Sequence, residues 1–143
     1  MKSQRFGIEI EMTGLTRRSA ALIIAKHFDT GFRHERGVYD TYSVCDQDGR
    51  KWKIVRDASI TPQCGNRFDY DPDYKVEVVS PICHYEDIET IQSIVRELRR
   101  NGHAKVNESC GIHIHVDASK HTARSLRNIA NIMYSKEDLI FKA

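Results

Sequence analysis

The sequence lacks long apolar stretches, closely spaced cysteines and a marked excess of charge of one sign. No apolar run approaches the roughly 20 residues that a membrane-spanning helix needs, and the opening stretch MKSQRFGIEIEM has no apolar core of a signal peptide. The formal net charge is only +2, which gives no indication of a nucleic-acid-binding or membrane-binding surface. These absences predict a cytoplasmic protein that binds neither nucleic acid nor a membrane.

Cysteine is scarce and scattered, because the four cysteines lie at positions 45, 64, 83 and 110 and form no CxxC pair. A disulfide framework is therefore not expected in a cytoplasmic setting. Free and mostly buried thiols are the favoured interpretation. The alternative is a zinc site, in a non-catalytic domain, built from Cys83, His84, Cys110 and His113. Within that set only Cys110-x-x-His113 has the spacing of zinc ligands.

Repeats, low-complexity segments and Pro/Gly/Ser-rich linkers are also missing. A chain of 143 residues suits one domain, and 40% hydrophobic with 29% charged residues is typical of a globular protein. The closing stretch DLIFKA has a helical apolar pattern but no cap, glycine or polar tail after it. We therefore expect residues 1–143 to be the N-terminal part of a single domain, cut within its last helix.

Hydrophobic periodicity predicts eight elements in the order β-α-β-β-β-α-β-α. The predicted strands are residues 5–12, 38–45, 51–60, 75–82 and 111–117, and the second and third of them form a hairpin. The predicted helices are residues 19–28, 86–100 and 122–143, with Thr16 or Ser19 capping the first and Ser135 an internal cap in the last. This order predicts an α+β fold, with a mostly antiparallel or mixed sheet and helices on one face.

Polar side chains recur at alternate positions on four of these strands. They are Glu9 and Glu11 on the first, Asp57 and Ser59 on the third, Glu77 on the fourth, and His113, His115 and Asp117 on the fifth. Alternate side chains on a strand point the same way about 7 Å apart, and neighbouring strands are about 4.8 Å apart. Carboxylates from two or three strands can therefore converge on a patch wide enough for one or two cations.

The residue types in this patch indicate which cations it suits. Carboxylate oxygens favour Mg²⁺ or Mn²⁺, whereas imidazole is tolerated by Mn²⁺ and preferred by zinc. Three glutamates with one or two histidines fit Mg²⁺ bound together with substrate phosphates better than a closed zinc site. One alternative is a metal-dependent hydrolase that uses His113, His115 and Asp117, although it has no need of glutamates on separate strands. A solvated strand face is the other interpretation of Glu9 and Glu11 taken alone.

Four stretches in a fixed order carry a resemblance to a known family: FGIEIEM, WKIVRDASI, KVEVVSPI and NESCGIHIHVD. Between residues 6 and 117 the chain resembles the amidoligase family, a branch of the carboxylate–amine ligases that includes glutamine synthetase and gamma-glutamylcysteine ligase. The resemblance implies a glutamine synthetase-like catalytic fold, in which a curved, largely antiparallel sheet forms an open funnel. It also implies that ATP and two or more Mg²⁺ or Mn²⁺ ions bind in that funnel.

The resemblance also implies roles for individual residues. Glu9, Glu11, Glu77 and His113 are expected to be metal ligands, and His115 is expected to face the cofactor phosphates. Asp57 and Ser59 fall on the family's Asp-x-Ser position, which implies a catalytic place near the substrates. In this chain Ala58 stands where the family often has glycine.

The implied reaction joins a small-molecule or peptide carboxylate to an amine. ATP phosphorylates the carboxylate to an acyl phosphate, and the amine then displaces phosphate to form an amide, while the metals neutralise charge on the β- and γ-phosphates. The family also has a later Glu-x-Arg motif and basic residues that meet the phosphates. No such motif follows Asp117 here, so we expect this chain to lack those phosphate-binding cations and to be incomplete as an enzyme.

Overall fold

A computed structural model describes residues 3–65, 67–140 and 142 of the chain. Over these residues there are three α-helices: α1 Arg17–His27, α2 Ile88–Gly102 and α3 Ala123–Ile140. The strands are β1 Phe6–Met12, β2 Phe32–Arg36, β3 Thr41–Cys45, β4 Lys51–Val55, β5 Gln63–Cys64, β6 Arg67–Phe68, β7 Val76–Val79 and β8 Ile112–Val116. Short 3-10 helices at Pro72–Tyr74 and Tyr85–Asp87 precede β7 and α2.

Six strands form one sheet in the order β2-β3-β4-β7-β1-β8, and all of its pairings are antiparallel. The short strands β5 and β6 pair separately. FGIEIEM therefore forms an interior strand, with β7 on one side and β8 on the other. The predicted α+β class with a mostly antiparallel sheet is confirmed, whereas the closer likeness to glutamine synthetase stays a prediction.

The hydrophobic core lies between one face of the sheet and the helices α1 and α2. Burial alternates along β4, where Trp52 and Ile54 are 1% and 0% exposed while Lys51 and Lys53 are exposed. Helix α2 contributes the buried side chains of Ile91, Ile94 and Leu98 to the core. Removing this apolar surface from water is the main favourable contribution to folding. Because α1 and α2 cover this face, the polar side chains of the interior strands are left on the other face.

A buried arginine holds the start of α1 against the segment that leads into β7. Arg17 is 2% exposed, and its guanidinium donates to the carboxylates of Asp40 and Asp73 and to two main-chain carbonyls, of Pro72 and Lys75. The hydrogen bond from Arg17 is the main reason that the pKa of Asp40 is lowered. Since Lys75 immediately precedes β7, this arginine helps to position the strand that carries Glu77.

The hairpin predicted for residues 38–60 differs from the structure at both ends. The preceding strand β2, FRHER, was not predicted, because it is a mostly exposed edge strand without an alternating apolar pattern. Residues 37–40 form a turn with positive φ at Gly37 and Asp40, so β3 begins only at Thr41. The predicted strand 51–60 ends at Val55, which leaves Asp57 and Ser59 outside the strand.

Of the two caps predicted for α1, Thr16 is the one observed, and the helix begins at Arg17, two residues before the predicted range. Thr16 caps α1 by accepting a hydrogen bond from the Ser19 backbone N–H. In contrast, α3 continues through Ser135, whose hydroxyl donates to the Ile132 carbonyl, so the predicted internal cap is wrong. Positions 141 and 143 of the predicted last helix lie outside the described residues. None of the described helices combines the length and the hydrophobicity needed to cross a membrane.

The cysteine prediction is half right. All four cysteines are free thiols, and Cys83 is buried with Cys110 partly so. Cys45 and Cys64, however, are exposed. Cys45 is exposed because it lies on β3 opposite the exposed Lys51, on the face of the sheet away from the core.

Candidate functional site

The strand register brings the predicted metal ligands onto the face of the sheet that is opposite the core. Glu11 lies directly opposite Glu77 on β7, and Glu9 lies directly opposite His113 on β8. Residues directly opposite each other in an antiparallel pair point to the same face. Four residues from three strands, separated by up to 104 positions in the sequence, therefore meet on one surface.

Two groups of possible metal ligands occur here, and Glu77 belongs to both. One ligand atom from each of Glu9, Glu77 and His113 lies within 4.8 Å of the others, and the same holds for Glu11, Asp57 and Glu77. Mg²⁺ binds oxygen at about 2.0–2.1 Å, so ligands on opposite sides of one ion are about 4 Å apart. Both groups are thus compact enough for small side-chain adjustments to close around a cation, with Glu77 between the two.

Glu9 receives hydrogen bonds from both histidines of β8. Its two carboxylate oxygens lie 3.1 Å from Nδ1 of His113 and 3.2 Å from Nε2 of His115. Burial opposes ionisation of Glu9, but the hydrogen bonds from His115 and His113 outweigh it and lower the pKa of the carboxyl. The same contact with Glu9 raises the pKa of His113. A cation bound by Glu9 and His113 would replace the proton on that imidazole, since a metal ligand must be the neutral ring.

The carboxylate of Glu11 is held by the main chain just before β8. Glu11 is 5% exposed, and one of its oxygens accepts a hydrogen bond of 2.6 Å from the backbone N–H of Gly111. The backbone N–H of Glu11 in turn donates to the Gly111 carbonyl at 3.1 Å. This reciprocal contact fixes Glu11 relative to the strand that carries His113. Such an anchored carboxylate loses little freedom when it binds a cation.

Glu77 shows the strongest electrostatic perturbation of the site. Burial, followed by the negative charges of Glu9, Asp57 and Glu11, raises the pKa of Glu77 to about 7. Like charges held close together disfavour ionisation, whereas a nearby cation favours it. The donor set therefore fits a divalent cation, which would relieve the repulsion among four carboxylates.

We expect this perturbation to make the stability of the metal-free protein depend on pH. The pKa of Glu77 is about 7 in the folded chain against an ordinary 4.5, so between these values the folded state binds a proton that the unfolded state has released. The free energy of unfolding should then fall as pH rises through this window, by about 1–2 kcal/mol for a half-buried group, and level off above it. Thermal unfolding in the presence of a chelator measures this dependence. A Glu77→Gln variant with the same pH dependence as the wild type would contradict it.

Asp57 and Ser59 form a local turn beyond the end of β4. One oxygen of Asp57 accepts hydrogen bonds of 2.6 Å from both the backbone N–H and the hydroxyl of Ser59, and the hydroxyl contact is the main cause of the lowered pKa of Asp57. Lys75 also ties this turn to β7, because its ammonium donates to the Ala58 carbonyl at 2.7 Å. The substrate-side role of the pair stays a prediction. The structure also places Asp57 in a group of possible cation ligands, a role that the resemblance did not assign to it, because it depends on how the turn packs.

Asp117 does not join its histidine neighbours in the site. It forms an ion pair of 2.6 Å with Arg5 and accepts a hydrogen bond from the Ser119 backbone N–H, and these contacts lower its pKa to about 2. Neither ligand group found among the described residues contains Asp117. The metal site that the hydrolase alternative requires from His113, His115 and Asp117 is therefore not assembled.

The residues of the alternative zinc site are also apart. Cys83 pairs with Phe6 at one end of β1, whereas the residue after Cys110 pairs with Glu11 near the other end. Phe6 and Glu11 are five residue steps apart along the strand, which corresponds to about 16 Å. Zinc–sulfur bonds of about 2.3 Å cannot bridge such a distance.

Comparison with known proteins gives one result that covers nearly the whole chain. A family model described as "Putative amidoligase enzyme" matches residues 2–143. The match includes all four stretches on which the resemblance rests, and both groups of possible metal ligands. No curated protein and no solved structure matches the chain.

Proposed function

The chain belongs to the amidoligase family, and from this premise we propose that it acts as an ATP-dependent carboxylate–amine ligase that forms amide bonds through an acyl phosphate. The observation that carries the proposal is the pair of possible cation sites that share Glu77. Family membership indicates an enzyme of the ligase type. The finer parts of the proposal, which are ATP, the divalent cations and the acyl phosphate, rest on the chemistry of the donor set.

The donor set suits Mg²⁺ or Mn²⁺ in the presence of phosphates. Glu9, Glu77 and His113 would hold one cation, and Glu11, Asp57 and Glu77 would hold the other. Bound divalent cations neutralise charge on the phosphates of ATP and the charge that develops during phosphoryl transfer. Few protein ligands are available to each cation, which leaves positions for phosphate oxygens and water, as Mg²⁺ sites in phosphoryl-transfer enzymes usually have.

The chain's own residues would prepare this site before ATP binds. Gly111 holds the Glu11 carboxylate, and Ser59 holds Asp57, so that two of the ligands are positioned by neighbours that do not touch the cation. His115 contacts Glu9 from the β8 side, where it would orient that carboxylate and face the phosphates. Ligands preorganised in this way raise cation affinity, because less side-chain freedom is lost on binding.

A polar cavity beside the C-terminal end of β1 offers room for the substrates. Its volume is about 570 Å³, and it is lined by Thr61, Gln63, Phe68, Asn107, Glu108 and Ser109. Hydrogen bonds between Thr61 and both Asn107 and Ser109 join its two sides. A cavity of this size accommodates a small molecule or one or two residues of a peptide. We propose that the carboxylate and amine substrates approach from this end.

The experiment that tests the proposal follows nucleotide turnover by the full chain with Mg²⁺. ADP release is measured with ATP and a panel of carboxylates, each with and without an amine, and the product is identified by mass spectrometry. We expect ADP release to require both substrates and to accompany an amide in equal amounts. ADP release that proceeds equally well without any amine would contradict ligation and indicate an ATP hydrolase.

A further inference from the structure

A row of side chains crosses the open face of the sheet through the proposed cation site. Directly opposite residues on successive strands are Ser43, Lys53, Val79, Glu9 and His113. They all point to the same face, because residues opposite each other in antiparallel pairs share a face. Two strand spacings, or about 10 Å, separate the backbones at Lys53 and Glu9. Lys53 therefore stands across Val79 from the group formed by Glu9, Glu77 and His113.

The ammonium group of Lys53 is available for a ligand. Lys53 is exposed, and no carboxylate in the described part of the chain forms an ion pair with it. The next lysine on the same face of β4 differs, because Lys51 forms an ion pair of 3.0 Å with Glu35. The hydrogen bond from Lys51 is the main cause of the lowered pKa of Glu35, and Lys53 adds only a weaker effect of its charge. Lys51 is thus engaged within the protein, whereas Lys53 is not.

An open groove lies beside this row, on the same stretch of β1. A cavity of about 380 Å³ is lined by residues that include Gly7, Glu9, Val79, Ile82 and His115. Gly7 lies two residues before Glu9 on the same face, and a Cβ added there would meet only the Cβ of His115, at 4.0 Å. Glycine inside a strand lowers stability relative to alanine and often marks the close approach of a ligand. The groove therefore has room for a bound molecule next to Glu9.

The charges around Val79 are arranged as a polyphosphate requires. A cation held by Glu9, Glu77 and His113 would neutralise phosphate oxygens on one side of Val79. The flexible four-carbon stem of Lys53 lets its ammonium reach the opposite side. A lysine that contacts the phosphates opposite the divalent cation is a recurring part of phosphoryl-transfer sites. Val79 between them is small and uncharged, so no charged side chain separates Lys53 from Glu9 in this row.

We propose that Lys53 binds the polyphosphate of a nucleoside triphosphate that lies across Val79, opposite the cation held by Glu9, Glu77 and His113. The proposal rests on the proposed function, because it assumes a nucleoside triphosphate and divalent cations at this site. Lys53 would give this chain a positively charged side chain that binds phosphate, whereas the family resemblance assigns the basic residues that meet the phosphates to a later portion of the sequence.

The test compares variants of the full chain for binding of the Mg²⁺ complex of β,γ-imido-ATP, measured by calorimetry. Lys53→Gln should weaken binding at least tenfold, whereas Lys53→Arg should stay within about threefold of the wild type, since the charge is kept. The matched control is Lys51→Gln, which removes the same group from the same strand and face and should change the affinity by less than twofold. Mn²⁺ alone and adenosine alone should bind Lys53→Gln as they bind the wild type, because neither carries the phosphates that Lys53 contacts.

The outcomes separate this inference from the proposed function. If the wild type binds the nucleotide and Lys53→Gln binds it equally well, the role of Lys53 is overturned and the ligase proposal stands. Equal losses in Lys53→Gln and Lys51→Gln would also overturn it, because they would show a general effect of surface charge. If the wild type binds Mn²⁺ but no nucleotide, both proposals fail together. Because Lys53 is exposed, thermal unfolding of its variants should match that of the wild type.

Discussion

Replacing Glu77 by glutamine is expected to abolish the binding of both cations and to lower amide formation by at least about 100-fold, the scale of losing one electrostatic contact to the transition state. The reason is that Glu77 is the one residue common to both ligand groups. A neutral amide has nearly the shape of the carboxylate, but it binds a divalent cation weakly and cannot share a negative charge between two cations. No other single carboxylate of the site is expected to have so large an effect.

The same substitution should leave the fold intact and even stabilise the metal-free protein. Burial and three neighbouring carboxylates disfavour the ionised form of Glu77, so a side chain that cannot ionise removes that repulsion at neutral and higher pH. The variant is therefore expected to unfold at a higher temperature than the wild type in the presence of a chelator. With Mn²⁺ added the order should reverse, because only the wild type gains the free energy of metal binding.

Counting bound Mn²⁺ measures this prediction directly. We expect two ions per chain for the wild type and none for Glu77→Gln in a titration followed by electron paramagnetic resonance. Two control variants each affect one ligand group: Glu9→Gln and Asp57→Asn should each retain one ion. Retention of two ions by Glu77→Gln would show that Glu77 is not shared between the sites. Loss of both ions in each control would instead indicate a single site.

Replacing Arg17 by methionine is expected to lower the free energy of unfolding by about 2–4 kcal/mol, because the guanidinium is buried and its removal leaves several hydrogen-bond acceptors unsatisfied. Methionine fills much of the space but removes the hydrogen bonds that Arg17 donates to the carboxylates of Asp40 and Asp73 and to two main-chain carbonyls. For a domain of this size the midpoint of thermal unfolding should fall by about 10 °C. Arg17→Lys should not restore the midpoint of thermal unfolding, because one ammonium group cannot reach four acceptors in a planar arrangement.

The matched control for this prediction is Arg100→Met, the same change at an exposed position in the last turn of α2. Surface substitutions of this kind usually change stability by less than about 0.5 kcal/mol. Chemical denaturation of both variants and the wild type gives their free energies of unfolding, which are compared at equal slopes of free energy against denaturant concentration. A loss below about 1 kcal/mol for Arg17→Met would show that the junction between α1 and the segment before β7 contributes little to stability.

Several features of the fold are predictable from the sequence because they depend on neighbours along the chain. The alternation of Ile8 and Ile10 with Glu9 and Glu11 predicts β1, and the alternation of apolar and polar residues in IHIHV predicts β8. Thr16 is a cap because its side chain meets a backbone N–H only three residues away. Periodicity and capping are local properties. The α+β class and the patch of glutamates and histidines follow from such local patterns, whereas the choice of Glu9, Glu11, Glu77 and His113 as ligands is what the family resemblance implies.

Local patterns fail where a side chain competes with the strand or where no face is buried. The strand predicted for residues 51–60 stops at Val55, and the Asp57 carboxylate then accepts hydrogen bonds from Ser59 two residues on. Asp and Ser favour turns for this reason, in spite of the β-forming residues around them. The edge strand β2 is not predicted for a different reason: its side chains are mostly exposed, so its sequence has no alternation of apolar and polar residues.

The sequence by itself determined the family, the class of fold and the residue types of the candidate cation site. Only the tertiary structure decided that Glu77 belongs to two ligand groups and that Asp57 joins one of them. It also decided that Asp117 pairs with Arg5 and that Lys53 lies in one row with Glu9. All four outcomes depend on which strands are neighbours and on their register. A shift of one residue between β1 and β7 would send Glu77 to the other face of the sheet, and no local pattern in either strand records that alignment.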